Sequence, residues 1–177
     1  MKRKFLWFFI ISGGLILLDQ ITKIIAADTL KGKSPAELIP GVLELRYIEN
    51  RGAAWGMMQG AGIFFIILTC AVMAGMIFLV AKMPTEKRFR PLLAFAIQLF
   101  AGGIGNLIDR IGLRYVRDFV YFKIIDFPVF NIADVCVTCA VCLLVILVIF
   151  VYREKDYEMF KKKKKNVTQS EESLDTE

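Results

Sequence analysis

A chain of 177 residues that is 56% apolar, with a mean hydropathy of +0.56, exceeds the roughly 45–50% apolar usage of soluble domains, which excludes an ordinary water-soluble fold. The net charge of +6 sits beside apolar runs and is not interleaved with stacking aromatics, so it is a topology signal and implies no nucleic-acid partner. Histidine is absent, which excludes serine hydrolysis with a histidine base.

Four apolar runs, each near the ~20 helical residues that match a ~30 Å hydrocarbon layer, organise the chain. The first, about Phe5 to Ala27, follows Lys2, Arg3 and Lys4. A basic start and an apolar run could mark a cleavable leader, with Ala26 and Ala27 as its small residues. Asp19 and Lys23 do not belong to such a leader, so the segment reads as a retained helix. In the following loop Pro40-Gly41 supplies a turn. Leu43, Leu45 and Tyr47 then alternate with Glu44, Arg46 and Ile48, the period of a half-buried strand. Gly62 to Ala81 and Leu92 to Ile108 form the second and third spans, joined by a link carrying Lys82, Lys87, Arg88 and Arg90. Between Asp109 and Asp134 a β-prone stretch, Tyr121 to Phe130, is interrupted by Asp126 and Pro128 and reads as a short strand or edge. Val135 to Tyr152 is the fourth span. Residues 153–177 are first basic, with Lys161 to Lys165 suited to anionic headgroups, and then acidic and polar, the composition of a disordered tail.

The basic residues before span 1, between spans 2 and 3 and after span 4 belong on the cytoplasmic side by the positive-inside rule. The two remaining loops are then extracytoplasmic. The expected fold is an α-helical polytopic membrane protein: four transmembrane helices with a small extracytoplasmic β-containing subdomain, residues 1–152 forming one domain. Cys70 lies in span 2, and Cys136, Cys139 and Cys142 step along span 4. Without histidine or further ligands they read as small apolar residues and not as a metal site. No metal or cofactor is expected, and neither extracytoplasmic loop holds a cysteine for a disulfide.

Five carboxylates lie at or near span ends: Asp19, Asp109, Asp118, Asp126 and Asp134. An ionised carboxylate at the centre of a bilayer costs about 2.5–3.5 kcal/mol on insertion scales, so such groups serve pairing, transport or catalysis. Asp19 and Lys23, at i and i+4 with Gln20 and Thr22 beside them, can simply neutralise one another. Gly102, Gly105, Asn106 and Asp109 share one helical stripe with Arg110 adjoining. The glycines permit close helix approach, whereas the polar groups exceed what packing requires. Asn131 and Asp134 fit an N-cap with a carboxylate at the third helical position as well as they fit a reactive site. Asp118 and Asp126 could each be a surface acid, Asp118 paired with Arg117. With no histidine, two aspartates are the chemical unit available: brought together they share one proton, and one acts as base toward water while the other protonates the leaving group. A proton-coupled transporter would fit such acids too, but four spans without repeated halves match that architecture poorly. A passive scaffold leaves the clustered Asn, Asp and Arg groups without a task.

The stretches Asp19-Gln20-Ile21-Thr22-Lys23, Asn50-Arg51-Gly52-Ala53-Ala54-Trp55-Gly56, Gly102-Gly103-Ile104-Gly105-Asn106-Leu107-Ile108-Asp109-Arg110, Val116-Arg117-Asp118-Phe119 and Phe130-Asn131-Ile132-Ala133-Asp134 resemble, in order, the motifs of the bacterial lipoprotein signal peptidase family, signal peptidase II. The resemblance spans Phe5 to about Tyr152. It implies an intramembrane aspartic endopeptidase that cuts diacylglyceryl-modified prolipoproteins just before the lipid-bearing cysteine, without a cofactor. By the same resemblance Asp118 and Asp134 are the catalytic pair, and Asp126 matches no catalytic position. Asn106, Asp109, Arg110, Asn131 and the Asp19-Lys23 pair would hold the dyad and the substrate backbone, with Lys23 and Arg110 as partners of Asp19 and Asp109. Gly102, Gly105 and Ala133 would support them, while Asn50, Gly52, Ala53, Ala54 and Trp55 would lie beside the substrate. The implied setting is a bacterial cytoplasmic membrane, with both termini cytoplasmic, the active site toward the extracytoplasmic face, membrane lipids around the chain and a monomeric state.

Overall fold

The structure, a computed structural model, describes residues 2–52, 61–153 and 156. Helix α1 runs Lys2–Leu30, strand β1 Ala36–Ile39, strand β2 Leu43–Asn50, helix α2 Gly62–Lys82, helix α3 Arg90–Leu113, strand β3 Val116–Phe122 and helix α4 Ile132–Ile146. A π-helical turn, Leu147–Val151, continues α4, and a 3₁₀ turn, Lys87–Phe89, leads into α3. Among the described residues four helices are long and apolar enough to cross a membrane: Arg3–Leu30, Gly62–Lys82, Lys87–Leu113 and Ile132–Val151. The first and third are longer than the apolar windows suggest. At two of these extensions the polar residue finds partners within the bundle: Lys4 at the start of α1 and Asp109 near the end of α3.

Helix α3 is the central element and packs against α1, α2 and α4. Half of its most apolar stretch is buried, against 11–17% for the other three, whose apolar faces are largely exposed. Small residues let α3 sit this close. A Cβ on Gly102 would collide with the Ala133 carbonyl and Val137 of α4, and one on Gly105 would lie 2.6 Å from Asp19 Oδ2 of α1. At the end holding the α1 N-terminus and the α2 C-terminus, Phe8, Val80, Met83, Phe89, Phe95 and Leu147 form an apolar core. There Lys4 Nζ donates to the Ala81 and Met83 carbonyls at 3.1 and 2.7 Å, covering oxygens that the end of α2 cannot satisfy itself.

At the opposite end three antiparallel strands form a sheet in the order β1-β2-β3. Gly41 makes the turn between β1 and β2 with φ 73°, a conformation open to glycine without penalty. The chain leaves α3 through Arg114, at φ 69°, and enters β3 directly. Leu45 pairs with Val120 and Ile48 with Asp118, so two residues of β2 oppose Phe119 alone. This bulge interrupts the simple alternation of β2. Glu44 becomes its buried residue, paired with Lys123 at 2.5 Å and Arg46 at 3.0 Å, while Leu43 and Leu45 are only half-buried. The strand in the second loop also begins earlier than Tyr121. Val116–Phe122 pairs with β2, whereas Lys123–Ile125 is a 3₁₀ turn and Phe130 contributes a single bridge to Val120.

Candidate active site

Three helices and two strands converge at the sheet end of the bundle, each presenting a few polar side chains. Lys23 of α1 is fully buried. Its ammonium lies 2.9 Å from Asp19 Oδ2, 2.9 Å from Asn106 Oδ1 and 3.6 Å from Asp109 Oδ2, partners without which its desolvation would be costly. Asp19 uses its other oxygen to accept the Ala133 backbone N–H at 2.9 Å, tying the first turn of α4 to α1.

Asp109 is also buried, and Arg117 clasps it. The guanidinium donates from Nη2 to Oδ1 at 2.6 Å and from Nε to Oδ2 at 3.1 Å, and the Arg117 backbone N–H adds a bond of 3.0 Å. Arg117 Nη2 reaches Gln20 Oε1 at 2.9 Å as well. This forked pair fixes the start of β3 against α3. Successive strand residues point to opposite faces, so clamping Arg117 turns Asp118 the other way.

Asp118 is buried and accepts two hydrogen bonds, from Asn131 Nδ2 to Oδ1 at 2.6 Å and from Asn50 Nδ2 to Oδ2 at 2.9 Å. Asn50 is its diagonal neighbour across β2 and β3. Asn50 is itself anchored, its Oδ1 accepting the Gly52 N–H at 2.9 Å. Burial first, and the neighbouring Asp134 charge next, push the Asp118 carboxyl up to about 7, against the opposing pull of the Asn50 and Asn131 hydrogen bonds and Lys23.

Asp134 occupies the third position of α4. A reciprocal capping box joins it to Asn131: its N–H donates to Asn131 Oδ1 at 3.0 Å and its Oδ2 accepts the Asn131 N–H at 3.1 Å. Oδ1 accepts from Asn106 Nδ2 at 2.7 Å. Asn131 is thus the bridge of the site, touching Asp118, Asp134 and, at 3.1 Å, Asn106 Oδ1. Asp118 and Asp134 face a cavity of about 550 Å³. Its polar end includes Asn50, Asn106 and Arg110, and its apolar wall includes Phe127, Val129, Val135 and Val137. Two carboxyl groups thus line one cavity, and one of them holds its proton toward neutral pH, the arrangement that acid-base chemistry requires.

Residues 11–150 match the family model described as signal peptidase (SPase) II. The chain belongs to the signal peptidase II family, and it is a peptidase. A lipoprotein signal peptidase of Symbiobacterium thermophilum is 40% identical over 126 residues, 70% of this chain and 81% of that one. One from Enterococcus faecalis is 36% identical over 137 residues, 76% of this chain and 82% of its own. A bacterial membrane enzyme solved by the in meso method at 2.3 Å resolution superposes with a TM-score of 0.72 at 34% identity, covering 80% of this chain and 86% of that one.

Within this signal peptidase II fold most of the sequence-selected residues meet at the cavity or directly behind it. Arg110 does not pair with Asp109. Neighbouring helical positions point about 100° apart, and Arg110 lies instead over the Phe65 ring at 5.1 Å, with Nη2 3.5 Å from the Gly52 carbonyl. Among the described residues no carboxylate is within ion-pairing distance of it. Arg117, which the sequence offers as a partner for Asp118, pairs with Asp109 instead, and Gln20, which the sequence places only beside Asp19, joins it. Their role depends on partners 8 and 97 residues away. Asp126 is exposed, adopts φ 47° and accepts the Tyr121 hydroxyl at 2.6 Å. Of the span 4 cysteines only Cys136 is buried, since steps of three residues drift around a helix; Cys139 and Cys142 are exposed. Ala53, Ala54, Trp55 and Gly56, with the Lys161 to Lys165 run, lie outside the described residues.

Proposed function

We propose that Asp118 and Asp134 are the catalytic pair of an intramembrane endopeptidase that removes signal peptides from diacylglyceryl-modified prolipoproteins, cutting before the lipid-bearing cysteine. One observation carries the reading: both carboxyls line the same cavity while Asn131 holds each of them. The substrate's signal helix and acyl chains enter from lipid along the apolar wall, and its scissile amide meets the polar end, where backbone groups find partners. The ionised carboxylate takes a proton from water as the water oxygen bonds to the amide carbon. The protonated carboxyl supplies its proton as the C–N bond breaks, leaving a carboxylate on the signal peptide and an amine on the cysteine. Arg110, without a carboxylate partner among the described residues, directs its donors at the oxygen that gains charge.

The same reading puts the aspartates toward the extracytoplasmic face, with both termini and the basic link cytoplasmic. It takes 1–152 as one protease domain working as a monomer among lipids, and 153–177 as a cytoplasmic tail. The test is incubation of purified protein with a diacylated prolipoprotein, read by mass spectrometry. The chain should convert the substrate to a product lighter by its signal peptide. Asp118→Asn and Asp134→Asn should give folded, membrane-inserted proteins that leave it intact; substantial turnover by either would remove the assignment.

A further inference from the structure

A second cavity, of about 690 Å³, opens at the other end of the bundle, between the start of α1 and the link from α2 to α3. Its lining includes Arg3, Lys4, Trp7, Glu86, Arg90 and Leu93. Arg3 and Arg90 are exposed, and no ion pair holds either of them among the described residues. Lys4 adds charge from the position where it covers the Ala81 and Met83 carbonyls. Helix α3 begins here without any side-chain cap, so its positive end adds to the same field. Trp7, 51% exposed on a membrane-spanning helix, is the residue type that settles at headgroup depth. An aqueous anion would need only the cations; the tryptophan and the apolar Leu93 suit a ligand with hydrocarbon attached.

From this juxtaposition we infer that the cavity binds the phosphodiester headgroup of an anionic phospholipid, with Arg3 and Arg90 contacting the phosphate and the acyl chains descending past Trp7 and Leu93. The occupant is a lipid resident at the membrane face away from the aspartates, separate from substrate.

The test uses the full chain in detergent, titrated with dioleoyl phosphatidylglycerol, dioleoyl phosphatidylcholine or inorganic phosphate while the thermal midpoint is followed; a ligand of the folded state raises it. Phosphatidylglycerol should give a saturable rise that the other two do not. Each basic side chain near a membrane surface is worth about fivefold in binding. In Arg3→Gln/Arg90→Gln the half-saturating concentration should therefore rise about thirtyfold, with prolipoprotein cleavage unchanged. Glu86→Gln, which removes a carboxylate from the lining, should shift it in the opposite direction. An equal rise with phosphatidylcholine, or a half-saturation unmoved by both variants, overturns the inference. A rise reproduced by inorganic phosphate also overturns it, in favour of a simple anion site.

Discussion

Replacing Asp118 by Asn should stabilise the protein at alkaline pH while ending cleavage. The Asp118 carboxyl is raised from 3.8 to about 7 by burial and by Asp134. At 1.36 kcal/mol per pH unit, holding it ionised in the folded state costs about 4 kcal/mol relative to water. The folded protein binds this proton more tightly than the unfolded chain does. The stabilising contribution is thus complete below about pH 4, shrinks as pH rises and is gone above about pH 7. Asparagine never ionises. It keeps an oxygen for the 2.6 Å bond from Asn131 but can turn an amide toward Asn50 Nδ2, 2.9 Å from the present oxygen, a loss of about 1 kcal/mol. The variant should therefore be more stable by about 3 kcal/mol at pH 8 and within about 1 kcal/mol of the parent at pH 4. Reversible unfolding in mixed micelles, followed by circular dichroism at both pH values, measures this. A difference of the same size at pH 4 and pH 8 would refute the electrostatic account of the site.

Cleavage should fall as pH rises through about 7, where Asp118 gives up its proton. Asn50→Ala removes a bond that favours the carboxylate, so the descending limb of kcat/KM should move to higher pH; a stationary limb contradicts the role given to Asn50. Gly105→Ala brings a methyl group within 2.6 Å of Asp19 Oδ2 and 3.1 Å of the Ala133 Cβ. It should cost about 1–3 kcal/mol of stability, whereas an unfolding midpoint equal to the parent's would mean the helices can separate freely. Arg117→Gln leaves buried Asp109 with Lys23, 3.6 Å away, as its cation and should cost about 3 kcal/mol. Arg117→Lys should recover only part of that because an ammonium cannot reproduce the fork, and full recovery of stability would show that charge alone suffices.

The helices were readable because their information is local: twenty apolar residues, a glycine three positions from another, an acid and a base one turn apart. Asp19, Lys23, Gly102 and Gly105 declared their relations within a single helix. The partner of Asp109 could not be found in that way, since Arg117 reaches it only after the chain reverses through left-handed Arg114. Val116-Arg117-Asp118-Phe119 carries two charges in four residues and so resembles a loop. Pairing with β2 makes it a strand, and the partners of both charges come from α1, α3 and the cap of α4. Glu44 is a similar case: its inward position follows from Lys123 and Arg46, not from the alternation of its own strand. The two readings of Asp134, helix cap and reactive acid, compete on spacing alone, yet one side chain both makes the cap and lines the cavity, so the cap does not exclude the proposed acid.

That double use fixes when the acid loses its freedom. The cap and the Asn106 bond confine both side-chain torsions of Asp134 as α4 forms. Its rotamer entropy is surrendered during folding, before any peptide arrives. In the proposed reaction the barrier then carries none of that ordering cost. A substitution that moved the acid by one residue along α4 would lose the reach of the carboxyl and the start of the helix together.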